Sequence, residues 1–406
     1  MANQGNSAPS SGCRFTATAT LTKLRGSLLA AVGKQNVEID PTPIPATTAH
    51  RRRASVSTAS LDRDETLAEK ISDQLDHGEP VKETEETILY LAYGSNLASK
   101  TFRGMRGIKP LSQIGVFVPE LRLSFDLPGI PYLEPCFAGT QYRDVSRDDG
   151  DSDGDDDGDD DGYLDSNGVS EKAALMGQTK REFYHKRRWS RPLVGVVYEV
   201  TLADYAKIIA TEGGGRGYRD GVIDCYPFPE DYDSSDPVPQ HPSTPAFKAR
   251  TLLSPAADDA RIRSQMQRGG AVVTNPALSW WYTIGLHFRP DPDYAQPSAR
   301  YLDLIKTGAA EHDLPVSYQK YLAQIRTYHI TTGGQKAGKV IFLVLWVPWL
   351  LLVLMLSKIF AGADGRSPPW LVAMANVLFS GMWNSYDFFF ARVFGNGERT
   401  LSDIPA

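Results

Sequence analysis

Cysteine is scarce in this chain of 406 residues: Cys13, Cys136 and Cys225 are all it has, and no two form a Cys-x-x-Cys pair. That excludes a disulfide framework and sets a reducing compartment as the expectation. The seven histidines show no His-x-x-x-His spacing and no His/Cys cluster, so no metal site is expected. Gly333 to Lys339 has the spacing of a phosphate-binding loop, but Val340 stands where Ser or Thr would have to ligate magnesium, and an apolar run follows. Positive charge is not in excess either. The formal net charge is −6, and ten acids are concentrated between Asp148 and Asp161. Without that run, 43 basic residues face 39 acidic ones, which leaves no electrostatic footprint for nucleic acid.

Residues 1–86 have little apolar periodicity and no acid before Glu38. With Pro41 to Pro45 and the Arg51-Arg52-Arg53 cluster, they read as a disordered, basic, Ser/Thr/Pro-rich arm. The Asp/Gly tract in 143–188 copies the opening of a calcium loop at Asp149, Asp151, Asp153 and Gly154. Asp156 stands at its eighth position, where an apolar residue belongs, and Asp160 at its twelfth in place of the longer Glu. A solvated, disordered acidic insertion is the reading. The rest of 87–330 forms one domain, followed by a juxtamembrane linker at 331–339.

Strands are expected at Thr87–Tyr93, as a pair broken at Pro119 within Ile114–Phe125, and at Leu193–Val200 and Gly221–Phe228. A helix is expected from Leu202 to Glu212, capped at Thr201 with Asp204 three residues on. Two more should lie between Pro297 and Ile325, parted near Pro315. This mixture describes an α+β domain, with a small closed, barrel-like sheet and flanking helices.

Two features carry chemistry. Glu212 falls on the apolar stripe of its helix, seven residues after Tyr205 and four after Ile208, and Gly213-Gly214-Gly215 ends the helix at once. Burial and the helix C-terminus both penalise its charge there, as a general acid/base working near neutral pH requires. The second feature is Tyr93-Gly94-Ser95-Asn96-Leu97, directly after a buried strand. Gly and Asn accept left-handed backbone angles, so the turn can aim successive N–H groups at a carboxylate.

Ile88 to Leu97 (ILYLAYGSNL) closely resembles the glycine loop of the γ-glutamylcyclotransferase family, and Leu193 to Val200 resembles the strand before its acid helix. Glu212-Gly213, then Gly217-Tyr218, then Tyr301 and the Gly308-to-Tyr318 segment follow in the family's order. The likeness covers 88–142 and 189–328, with insertions at 143–188, 229–246 and 255–296. It implies a lyase of glutathione and γ-glutamyl metabolism that needs no cofactor. The α-amine of a γ-glutamyl amide closes on its own γ-carbonyl, giving 5-oxoproline and a free amine. Glu212 would be the catalytic residue. Tyr90, Leu91, Ala92, Tyr93, Gly94, Ser95, Asn96 and Tyr301 would bind the substrate, with Leu97 and Tyr218 in the pocket. Residues 126–135 should line the pocket mouth. Tyr-Gly-Ser-Asn resembles the type that takes γ-glutamyl amino acids. Three alternatives stay open: the same chemistry on a specialised γ-glutamyl or glutathione conjugate of secondary metabolism, action on γ-glutamyl-lysine crosslinks, and a membrane-tethered binding protein that has lost turnover. Oligomeric state is not legible.

Val340 to Ser357 is an uncharged run between Lys339 and Lys358. At about 1.5 Å per residue it covers about 27 Å, enough for a membrane helix. Residues 367–394 carry a polar stripe of Asn376, Ser380, Asn384 and Asp387, which suggests an amphipathic, membrane-associated helix. The expectation is a single-pass membrane protein with its catalytic domain in the cytosol, beside a small-molecule γ-glutamyl substrate.

Overall fold

The computed structural model describes residues 42–57, 87–143, 189, 191–212, 218–254, 294–360, 362 and 366–400. The acidic tract and the glycines after Glu212 lie outside the described residues, and so do the readings made for them.

Five strands close a barrel in the order β1 (Thr87–Ala92), β5 (Leu193–Thr201), β2 (Ser112–Val118), β6 (Arg219–Pro227) and β7 (Phe247–Leu253). All neighbours are antiparallel except the closing pair, where β7 lies parallel to β1 at Tyr90 and Arg250. β5 pairs on both sides, and its first six residues are all buried. Such an unbroken apolar run belongs to a strand covered on both faces. β3 (Leu121–Ile130) and β4 (Glu134–Tyr142) make a separate antiparallel hairpin. The expected barrel-like α+β fold is present. β4 and β7 lack a clean apolar alternation and were not anticipated.

Helix α2 (Leu202–Thr211) buries Tyr205, Ile208 and Ile209, as its spacing predicts. Thr201 caps it by accepting from the Asp204 amide at 3.2 Å. The reciprocal half of the capping box is missing, because the Asp204 carboxylate turns to the Lys109 amide and the Lys207 ammonium. Helices α3 (Ala299–Glu311) and α4 (Val316–Gln324) follow, parted by the turn at Asp313.

The basic arm is not wholly detached, as the sequence suggested. Residues 42–57 dock on the barrel: Ala46 bridges to Gln113, and Ala49–Ser57 forms helix α1. The apolar content is low, but polar pairing offsets it. Arg51 donates to the Thr87 carbonyl at 2.7 Å and to Glu199 at 2.8 Å, and Ser55 accepts from the Lys248 amide. Burial alone would raise the Glu199 carboxyl, but hydrogen bonds from Thr87, Ser112 and Arg51 outweigh it and hold the group below the ordinary glutamate value. A lowered folded value means this stabilisation is present above the unfolded value and lost as pH falls through the folded one. Acid denaturation of Glu199→Gln should therefore be shallower in that range than that of the unaltered protein, as followed by circular dichroism.

After α4 the chain enters α5 (Gly333–Phe360), which is long and apolar enough to cross a membrane by length and composition, with 6% of its most apolar stretch buried in the protein. α6 (Pro369–Ser385) runs back alongside it and continues through a π-turn at Tyr386–Phe390 to Phe394. The Trp346 indole donates to Ser385 at 3.1 Å, and Phe394 lies so close to Gly338 that a Cβ there would meet it at 2.5 Å. After α6 and its π-turn, Gly395–Thr400 returns to the domain.

Candidate active site

β1 delivers Tyr90, and a 3₁₀ turn at Ser95–Leu97 follows. That turn is not built on left-handed residues, as the sequence suggested: Gly94 has φ −107°, and Asn96 is not among the positive-φ residues. Its amides at Leu97 and Ala98 bond within the turn, so the N–H groups left to a ligand are those at its start. Gly94 is needed for space: a Cβ there would meet the Tyr301 hydroxyl at 3.3 Å. Gly308 on α3 lets the helix lie directly on the turn, since its Cβ would stand 2.4 Å from the Leu97 carbonyl carbon. His312 fastens the turn from the same side. Its Nε2–H donates to the Leu97 carbonyl at 3.1 Å and lies 2.7 Å from the Tyr198 hydroxyl. Burial lowers the histidine below its ordinary value, which keeps it neutral in this role.

Glu212 ends α2 and comes to meet the turn. Asn96 donates one amide to the Tyr90 hydroxyl at 2.8 Å and to Glu212 Oε1 at 3.1 Å. The Asn96 carbonyl oxygen is buried and has no hydrogen-bond partner. A carboxylate left alone on an apolar stripe, as the sequence suggested, is not what forms. Arg106, unmarked in the sequence, donates through Nη2 to the same Oε1 at 2.6 Å, with side-chain exposures of 11% and 19% for the pair. The two hydrogen bonds converge on one oxygen, and Oε2 takes part in neither.

The opposite wall is tyrosine-rich. Tyr301 accepts from the Ala138 amide at 3.1 Å, and Tyr218 donates to the Ala138 carbonyl at 2.9 Å. Ser298 caps α3 by accepting from the Tyr301 amide, which sets the phenol's direction. Burial first, and then the negative charge of Glu212 among other groups, raises the Tyr90 and Tyr301 phenols far above their ordinary value, so both stay protonated donors.

The structure thus brings together Glu212, Asn96 and Tyr90, and sets Gly94, Tyr218 and Tyr301 about Ala138. Leu91, Ala92 and Leu97 are core side chains and offer the site only backbone. Tyr93 turns its hydroxyl to the Leu252 carbonyl, a structural tie. Ser95 is half-buried on the turn. Tyr132, at the tip of 126–135, is packed among Phe342, Tyr386 and Phe390 and is not open to a pocket mouth, while its neighbour Leu133 is exposed. Cys136 and Cys225 are buried small hydrophobes, as expected. Among the described residues, no group of three or more His, Cys, Asp or Glu could hold a metal ion.

Residues 332–393 match the family described as the AclK C-terminal domain. The γ-glutamyl cyclotransferase aclK of Aspergillus oryzae is 29% identical over 320 residues, 77% of this chain and 90% of that one. The γ-glutamyl cyclotransferase gliK of Aspergillus fumigatus is 27% identical over 313 residues, 77% of this chain and 89% of its own length. A solved structure titled γ-glutamyl cyclotransferase aligns at 15% identity with a TM-score of 0.33, over 61% of this chain and 92% of that one. Its ordered motifs are gathered on a closed barrel, and over about three quarters of its length the chain is similar to proteins named γ-glutamyl cyclotransferase.

Proposed function

We propose that the protein cyclises a γ-glutamyl amide, a γ-glutamyl amino acid or peptide, to 5-oxoproline with release of the amine. The observation that carries this reading is the meeting of Glu212, Asn96 and Tyr90 from separate elements, with an acceptor on Asn96 left unpaired. A buried acceptor without a partner costs about 1–3 kcal/mol, and a substrate ammonium would satisfy it. Glu212 Oε2, outside both hydrogen bonds, takes the proton. The α-amino nitrogen then bonds to its own γ-carbonyl carbon, and the bond from that carbon to the amide nitrogen breaks. The α-ammonium gives up two protons on becoming the ring N–H: Glu212 takes the first before attack and passes it to the departing nitrogen, and the second is released as the ring nitrogen becomes an amide, so that the amine leaves as an ammonium. Holding amine and carbonyl together exploits effective molarities of about 10⁵–10⁸ M. The amides opening the Gly94–Asn96 turn hold the substrate carboxylate, and the Tyr301 hydroxyl, whose oxygen accepts from Ala138, has its own proton to donate.

The hairpin α5–α6 attaches the protein to a membrane. Val344, Trp349, Leu351, Trp370, Val377 and Phe388 are each more than half exposed, an apolar surface fit for lipid. The domain faces the cytosol, where γ-glutamyl substrates are expected. One contact favours a hairpin lying in the membrane face over a perpendicular span: Arg366, in the link between the helices, stands 3.5 Å from Asp220 of the barrel.

The full chain, incubated with γ-glutamyl dipeptides, glutathione and glutathione conjugates, should release 5-oxoproline from at least one of them; no release from any would sink the activity. Carbonate extraction should leave the chain with the membranes. Protease added to sealed vesicles should digest the catalytic domain, and protection of that domain would reverse the orientation.

A further inference from the structure

The turn between β3 and β4 contains Tyr132, which is 1% exposed and has φ +62°, a left-handed conformation unusual for a bulky side chain. Such a conformation persists only where the surroundings dictate it. Here the C-terminal segment supplies them. The Tyr132 hydroxyl bonds to the carbonyls of Gly395 at 2.7 Å and Phe390 at 3.0 Å, and its amide donates to the Gly397 carbonyl at 2.7 Å. Its ring packs edge-on against Phe342 of α5 and Tyr386 after α6. Gly397 crosses the ring so closely that a Cβ would meet it at 2.9 Å.

From Tyr132 onward, every second residue of this arm is tied toward the pocket wall. Glu134 binds Ser298 and Arg300 at the start of α3, the Cys136 thiol meets the Ala295 carbonyl, and Ala138 holds both Tyr301 and Tyr218. The returning tail grips the lead-in to α3 as well: the Gln296 amide donates to the Glu398 carbonyl at 2.8 Å, and the Thr400 amide to the Gln296 side chain at 2.8 Å. Two routes thus run from the helical hairpin to Tyr301. A paired β-ladder and a capped helix are stiff elements, so displacement at one end is passed to the other.

We propose that the C-terminal helices and tail are a positioning element of the substrate pocket as well as an anchor, acting through Tyr132 and Gly395–Thr400 on the wall formed by Ala138, Tyr218 and Tyr301. This rests on the pocket assigned above, and the test separates the two. Hydrogen exchange measured by mass spectrometry on the full chain in detergent should rise in 134–140 and 298–303 when Tyr132→Ala is introduced, along with the tail. Tyr132→Phe, which keeps the ring, should give a smaller rise. Gly397→Ala presses a Cβ against the ring while keeping the Tyr132 side chain, and carries the test if Tyr132→Ala loses the barrel. With a turned-over dipeptide, KM should rise by roughly 10–10²-fold, the scale of small misplacements, with kcat less affected. Exchange that increases only in 386–400, with β4 and the start of α3 unchanged, overturns the proposal. Exchange that spreads to β4 in a protein releasing no 5-oxoproline upholds this coupling and defeats the activity instead.

Discussion

Glu212→Gln should lower 5-oxoproline release by on the order of 10²–10⁴-fold, the usual contribution of a positioned general acid/base. Glutamine keeps the size of the side chain and a carbonyl oxygen that can still accept from Asn96 and Arg106, where Glu212 now accepts at 3.1 Å and 2.6 Å. It cannot take the substrate's proton. At about 1.4 kcal/mol per factor of ten, the loss corresponds to roughly 3–5 kcal/mol of barrier. Binding of a γ-glutamyl dipeptide, followed by calorimetry, should persist, because the turn at Gly94–Asn96 and the Tyr301 wall are untouched. Turnover at the original rate would remove Glu212 from the mechanism. A variant that also failed to bind, with an unchanged circular dichroism spectrum, would make Glu212 an ammonium-binding group without a proton-transfer role.

The largest effect on stability is expected at the seam of the barrel. Arg250, on β7 where it closes against β1, donates to Asp220 of β6 at 2.7 Å, and the pair is 9% and 5% exposed. Tyr205 of α2 donates to the same carboxylate at 2.5 Å. Arg250→Met would leave a buried carboxylate with only the longer contact to Arg366, at 3.5 Å, as its cation, a change that costs up to about 3–5 kcal/mol. Thermal unfolding of the variant should begin roughly 6–20 °C lower. Adding Asp220→Asn should restore much of this, because a neutral amide still accepts from Tyr205 and no unpaired charge remains. If the single variant melts with the unaltered protein, the pair is not what secures the seam. The defect should reach the site too, since the Tyr205 ring lies 6.0 Å from that of Tyr90.

Local patterns in the chain were enough for the elements whose residues answer to their own neighbours. The unbroken apolar run at Leu193–Tyr198 announces a strand covered on both faces, the Tyr205–Ile208–Ile209 spacing announces the buried side of α2, and Glu212 before a run of glycines marks where that helix stops. Tyr90, Asn96 and Tyr301 were legible through family likeness, because the motifs that hold them are short and ordered. Arg106 was not, for it follows an irregular π-turn and gains its meaning only from a carboxylate 106 positions away. The docked segment 42–57 escaped notice for a related reason. Its composition predicts disorder, and what orders it is a charge-assisted bond to Glu199 and a bond from the Lys248 backbone amide to Ser55, which no local pattern encodes.

The sequence by itself determined the barrel's principal strands, the helix that carries Glu212 and the apolar length of 340–357, since each depends on periodicity along one stretch of chain. Tertiary structure alone decided the rest. It paired Glu212 with Arg106, turned Tyr93 away to Leu252, and folded the C-terminal helices back so that Gly397 covers Tyr132. Those outcomes depend on which distant groups converge once the barrel closes. A buried donor or acceptor must find its partner wherever packing brings one, not where the chain places its neighbours.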